Sequence, residues 1–160
     1  MRGGRCRRTY SGRARKGIMG CIAKLSWRSV EVEAEAHSAE DVIRVLHEVD
    51  AEYRGKQAIA MQVVRENGES MIIVLGTDHS CLGWWPKDYQ GTGSYHTVAE
   101  GFDPDLDQVG PHPEVITYYV FGHHTEVPLE YTISKEQAFD AVREFVLSPG
   151  RPRSVRWDSD

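Results

Sequence analysis

Residues 134–157 read SKEQAFDAVREFVLSPGRPRSVRW, and this stretch decides the fold. Ser134 opens a helix with Gln137 three residues on, the spacing at which each side chain satisfies the other's free backbone N–H. Ala138, Ala141, Val142, Phe145 and Val146 then recur on one side of a 3.6-residue repeat, an apolar stripe that must be buried. Gly150 stops the helix, because the left-handed backbone that ends helices suits glycine. Arg151-Pro152 turns the chain, and Arg153–Trp157 predicts a short closing strand with Trp157 anchoring it in the core. A helix running straight into a terminal strand implies a sheet onto which that helix folds back.

Upstream lie the other strands of that sheet. A hairpin is expected between Val115–Phe121 and Val127–Ile133, turning through Gly122-His123-His124-Thr125. Residues 100–114 hold Asp103, Asp105, Asp107 and three prolines and read as an irregular acidic loop. Before it come two short strands, Gly83-Trp84-Trp85 and Ser94–Ala99, separated by a polar turn with Gly91 and Gly93. Ala58–Arg65 and Ser70–Gly76 flank Asn67-Gly68, the strongest short hairpin signal, since both turn positions take positive φ. Met71-Ile72-Ile73-Val74-Leu75 is apolar throughout, which predicts a central strand covered on both faces. Ser38 caps an earlier helix with Asp41 at the capping-box spacing. Its buried stripe is Val42, Val45, Leu46, Val49 and Tyr53, and Gly55 ends it. Val30, Val32, Ala34 and Ala36 alternate with Glu31, Glu33 and Glu35, the period of a strand with one wet face. The order is strand, helix, a run of strands, helix, strand. It predicts an α+β fold: a single domain, mostly antiparallel sheet with two helices packed on it.

The chain has 160 residues, 40% hydrophobic and 27% charged, which suits one soluble domain with a real core. No apolar run approaches the roughly 18–20 residues of a membrane span. Arg7-Arg8 is followed by no apolar segment of the kind an export signal carries. Cys6, Cys21 and Cys81 are odd in number and widely spaced, which suggests reduced thiols and a cytoplasmic location. Net charge is −5, but residues 1–17 carry seven basic side chains and no acid. Removing them leaves 12 basic against 24 acidic residues, so the body repels nucleic acid and attracts basic proteins. Residues 1–24 read as a basic, flexible N-terminal extension, with Met19 as an alternative start, and residues 25–160 as the domain.

The recognised catalytic patterns fail on spacing. His123-His124-x-Glu126 and Asp78-His79-Ser80-Cys81 match no zinc-ligand spacing, and neighbouring strand histidines point to opposite faces. His112-Pro113-Glu114 fits half of the zinc-deaminase signature, but no cysteine follows Cys81 to supply its thiolates. There is no nucleophile elbow, phosphate loop or dinucleotide fingerprint. No metal and no cofactor are expected. Trp84-Trp85 followed by Tyr89 puts two rings on alternating faces, one for the core and one for a partner.

The chain resembles the type-one immunity proteins of bacterial polymorphic toxin systems. The resemblance spans most of residues 25–157 and is loose in the first half. It rests on Leu75-Gly76, Gly83, Trp84, Tyr95, Gly101 and Val127-Pro128. The ending is its most specific part: Ala138, Ala141, Glu144-Phe145, Gly150-Arg151-Pro152, Val155 and Trp157. The basic arm lies outside the family pattern. The resemblance implies a non-catalytic cytoplasmic antidote whose partner is a cognate toxin, often a nucleic-acid deaminase. Charge and aromatic content then point to Trp85, Asp88, Tyr89, Glu100, Asp103, Asp105, Asp107 and Glu126 as the partner-binding residues. Two rival readings are a small metal- or His-dependent hydrolase using His123, His124 and Glu126, and a nucleic-acid binder using the arm. The charge of the body argues against the second.

Overall fold

The computed structural model describes residues 20–159. The arm at 1–17, Cys6 and Met19 lie outside the described residues. The chain opens with β1 (Ala23–Ser26), β2 (Ala34–Ala36) and helix α1 (Ala39–Tyr53). Then come β3 (Ile59–Arg65), β4 (Ser70–Leu75), β5 (His79–Ser80), β6 (Leu82–Trp85) and β7 (Tyr95–Val98). A hairpin of β8 (Val115–Val120) and β9 (His123–Pro128) leads through a 3₁₀ turn, Leu129–Tyr131, into β10 (Ile133–Ser134). Helix α2 (Lys135–Leu147) and β11 (Arg156–Ser159) complete it. This is the α+β architecture expected.

The main sheet runs β11-β7-β6-β4-β3-β1-β2, antiparallel at each step. The β8–β9 hairpin joins it only where Ile59 pairs in parallel with Tyr119. Alternation sorts the strand residues onto two faces. Met61, Val63, Met71, Ile73, Leu82 and Trp84 look one way and share a core with Val42, Val45, Leu46, Val49, Ala138, Ala141, Val142 and Phe145. Both helices therefore cover one face. They also meet each other, with His47 edge-on to Phe139 at 4.8 Å and Arg143 3.5 Å from Glu40. The opposite face is covered at one end only, where Ile116, Tyr118 and Val127 of the hairpin pack on Ala58, Val74 and Cys81.

Capping behaves as the sequence predicts. Ser38 accepts the Asp41 N–H, and Ser134 and Gln137 form a full capping box. Asp41 departs slightly, its carboxylate accepting the His37 N–H instead of that of Ser38. Asp50, on the buried side of α1, joins three elements. Its carboxylate accepts the Gly76 N–H after β4 at 2.8 Å, lies 2.6 Å from Lys135 Nζ at the start of α2, and accepts from Arg54 at 3.1 Å. Burial pushes the Asp50 carboxyl up, but Lys135, the Gly76 N–H and Arg54 outweigh it and hold it below the usual carboxylate range.

Five expectations are corrected. The strand expected at Val30–Ala36 survives only as Ala34–Ala36, and Val30 is 74% exposed. The Glu33 carboxylate folds back onto the N–H groups of Trp27 and Arg28, which makes residues 27–33 a loop and leaves the true partner strand to β1. That strand begins at Ala23, inside the stretch assigned to the extension, and Trp27 beyond it is fully buried. At Asn67-Gly68 only Gly68 takes positive φ, because the loop is longer and closes through Gly68 N–H to Arg65 O. The two-residue turn with both φ positive is instead Phe121-Gly122, which moves His123 and His124 from the turn into β9. Finally, β11 begins at Arg156, because Glu144 takes the Arg153 and Ser154 N–H groups out of any ladder.

Candidate protein-binding face

The helix-free face of the sheet forms a trough. Gln62, Ile72, Gly83 and His96 stand opposite one another across β3, β4, β6 and β7, and so share its floor. The β8–β9 hairpin stands over one side and contributes Tyr118, Val120 and Val127, and Tyr131 from the 3₁₀ turn closes one end. The trough has a volume of about 520 Å³. A second cleft of about 290 Å³ shares Ile72 and Trp85 with it and is lined by Gly68, Asp88 and Tyr89. Trp85 divides the two, its indole laid back over Gly83. A Cβ at Gly83 would stand 2.5 Å from Trp85 Cη2, so glycine is what lets the ring lie there.

Burial pushes the Cys81 thiol up to about 12, and burial beside Cys81 also raises the Tyr118 hydroxyl. A thiol held protonated at neutral pH is a poor nucleophile, so Cys81 packs instead of reacting. His96 stacks edge-on to Tyr131 at 4.9 Å and lies 3.7 Å from the Asp158 carboxylate.

The sequence-predicted interface residues divide into three groups. Trp85, Asp88 and Tyr89 come together around the smaller cleft, with Asp88 at a positive φ of 57° that aspartate tolerates. Glu100, Asp103, Asp105 and Asp107 form the acidic loop beyond the opposite end. Phe102 stacks on Tyr131 at 5.6 Å, Ala99 N–H donates to Glu130 O at 2.8 Å, and Arg156 donates to Ala99 O and Phe102 O. Within the loop, Asp107 accepts the Asp103 N–H and Asp103 accepts the Asp105 N–H, so these two carboxylates hold its shape. Glu100 and Asp105 are exposed and free of that work. Glu126 is not brought to the trough. The register puts it with Tyr119 and His124 on the outer face of the hairpin, while His123 faces the other way with Val120. His123, His124 and Glu126 therefore do not converge on one centre. Among the described residues no group of three or more His, Cys, Asp or Glu side chains gathers as a metal site would.

Sequence reasoning missed the trough and one exposed side chain. Ile72, Tyr118, Val120 and Tyr131 meet only through tertiary folding, so no local pattern marks them as partners. Leu106 is 82% exposed between Asp105 and Asp107. A single leucine between two aspartates carries no local signal that tells an exposed apolar side chain from a buried one.

The C-terminal motif lies on the helix side and has structural work. Burial pushes the Glu144 carboxyl up, but the Arg153 and Ser154 groups outweigh it and hold it below its usual range. Gly150 takes a φ of 87° and donates its N–H to Glu69, which also pairs with Arg65. Arg151 lies 3.6 Å over the Tyr95 ring, and Trp157 Nε1 donates to Pro152 O at 2.7 Å. The motif thus fastens α2 and β11 to the sheet. A family model described as Immunity protein Imm1 matches residues 31–159. No curated protein matches the chain.

Proposed function

The chain belongs to the Imm1 family of immunity proteins, and from that premise we propose that it neutralises a nucleic-acid-acting bacterial toxin, a deaminase in the first instance, by covering its active site. The observation that carries this reading is charge. Beyond residue 17 the chain holds 24 acidic and 12 basic side chains, and the acidic loop concentrates four of those acids at one end of the trough. An enzyme that handles DNA or RNA needs a basic groove for phosphates. An acidic antidote is drawn to the same groove and competes for it by complementary potential. The protein performs no reaction of its own in this account. Blocking is steric, and the cytoplasm, where both thiols described (Cys21 and Cys81) stay reduced, is where it acts.

Glu100→Lys with Asp105→Lys reverses loop charge without touching the carboxylates that shape the loop. Association with the catalytic domain of the cognate toxin is expected to slow about tenfold at low salt, with dissociation nearly unchanged. The difference should shrink as added salt shortens the screening length. Stopped-flow mixing at several ionic strengths measures it. Equal association rates for the variant and wild type at low salt would place the charge contact elsewhere, with the Glu31/Glu33/Glu35 segment next to be tested.

A further inference from the structure

The larger cavity, about 520 Å³, lies in the range of pockets that enclose a substantial ligand, yet its lining carries no carboxylate and no lysine or arginine. Ile72, Trp85, Tyr118, Val120, Val127 and Tyr131 make it apolar and aromatic. The second cleft adjoins it across Ile72 and Trp85, so the two together follow the open sheet face on either side of the indole, a shape for a chain segment more than for a compact small molecule. Charge sits on the rim. Asp88 lines the second cleft and Asp158 stands beside His96. Two nearby cations are engaged, Arg156 by two carbonyls of the 99–102 turn and Arg151 by the Tyr95 ring, while Lys87 stands beside Gly68 at the far end of the second cleft.

An occupant that satisfies both features carries apolar side chains between cationic ones. We propose that the trough seats such a segment, an apolar stretch flanked by lysine or arginine on the toxin's catalytic domain, with Trp85 as the central anchor it packs against. This rests on the antitoxin reading above and adds where, and by what chemistry, the toxin is gripped. The acidic loop then governs encounter, while the trough governs how long the complex lasts. Gly83 has a role in binding through Trp85: any side chain there swings the indole off the floor.

The test uses the full-length protein labelled with 5-fluorotryptophan, its Trp85 resonance assigned through Trp85→Phe, and the catalytic domain of the cognate deaminase toxin. Toxin is expected to shift the Trp85 resonance. Thr125→Arg, which puts a bulky cation at the hairpin wall, is expected to raise Kd about 30-fold or more, the scale of a lost anchor. Gly83→Ala is expected to move the Trp85 resonance before toxin is added and to raise Kd mainly through faster dissociation. A complex that forms with wild-type affinity in both variants and an unmoved Trp85 resonance overturns the proposal and leaves the antitoxin reading standing. Absence of any complex with the wild-type protein overturns that reading for this pair and the proposal with it. A Trp85 shift that follows the protein's own concentration, without toxin, assigns the trough to a second copy and also overturns the proposal.

Discussion

Asp50→Ala is expected to lower the free energy of unfolding by about 3–5 kcal/mol, because it leaves a largely buried ammonium without its partner. Lys135 Nζ is 2.6 Å from Asp50 and its side chain is only 17% exposed. The same carboxylate also satisfies the Gly76 N–H, so the substitution unties α1 from the end of β4 and from the start of α2 together. Asp50→Ala combined with Lys135→Met should cost clearly less than the two single changes added, since removing both charges removes the desolvation problem. Denaturant unfolding of the four proteins measures this. The effect also has a direction in pH. The folded-state carboxyl lies below its ordinary value, so its contribution is complete above the unfolded pKa of about 3.9 and is lost as pH falls through the folded one. The stability gap between wild type and Asp50→Asn should therefore be full at neutral pH and close in acid.

Phe145→Ala should cost a similar amount, about 3–5 kcal/mol, as the price of a cavity at the centre of the helix–sheet core. Phe145 is fully buried, and Arg65 lies 5.4 Å over its ring while pairing with Glu69. Truncation therefore removes apolar contact and loosens the turn that receives Gly150. Against the roughly 5–15 kcal/mol that a domain of this size has in total, such a loss brings the fold near its limit. The thermal midpoint should fall sharply, and toxin binding should weaken only in proportion to the unfolded fraction. A variant that kept its midpoint and lost binding would mean that the C-terminal motif touches the toxin directly.

Both helices were legible because two local signals agreed in each, a capping residue at the start and an apolar stripe at helical spacing. The closing strand was legible from Gly150, Pro152 and Trp157, though its start was set by the Glu144 side chain, which no strand rule anticipates. Hairpin turns were less readable. Asn67-Gly68 carried the right residues for a two-residue turn, yet the real one is Phe121-Gly122, where a bulky residue accepts a φ of 48°. That conformation is costly for phenylalanine locally and is imposed by the pairing of β8 with β9. The Val30–Ala36 alternation misled for a similar reason: the Glu33 carboxylate competes with the sheet for backbone donors. At the candidate site, Trp85, Asp88 and Tyr89 were within reach because they are neighbours in sequence. The trough was not, because Ile72, Tyr118 and Tyr131 are assembled across the sheet, the hairpin and the turn.

The central claim is that this acidic protein silences a toxin by occupying its active site. Its most direct test is stoichiometric inhibition: the purified catalytic domain of the cognate toxin acting on a DNA or RNA substrate with increasing amounts of this protein. The account predicts a linear fall in activity that reaches zero at one equivalent, and unhindered growth of cells that express both genes. Full toxin activity in the presence of excess protein, or a complex that forms at one equivalent while substrate turnover stays intact, would contradict it.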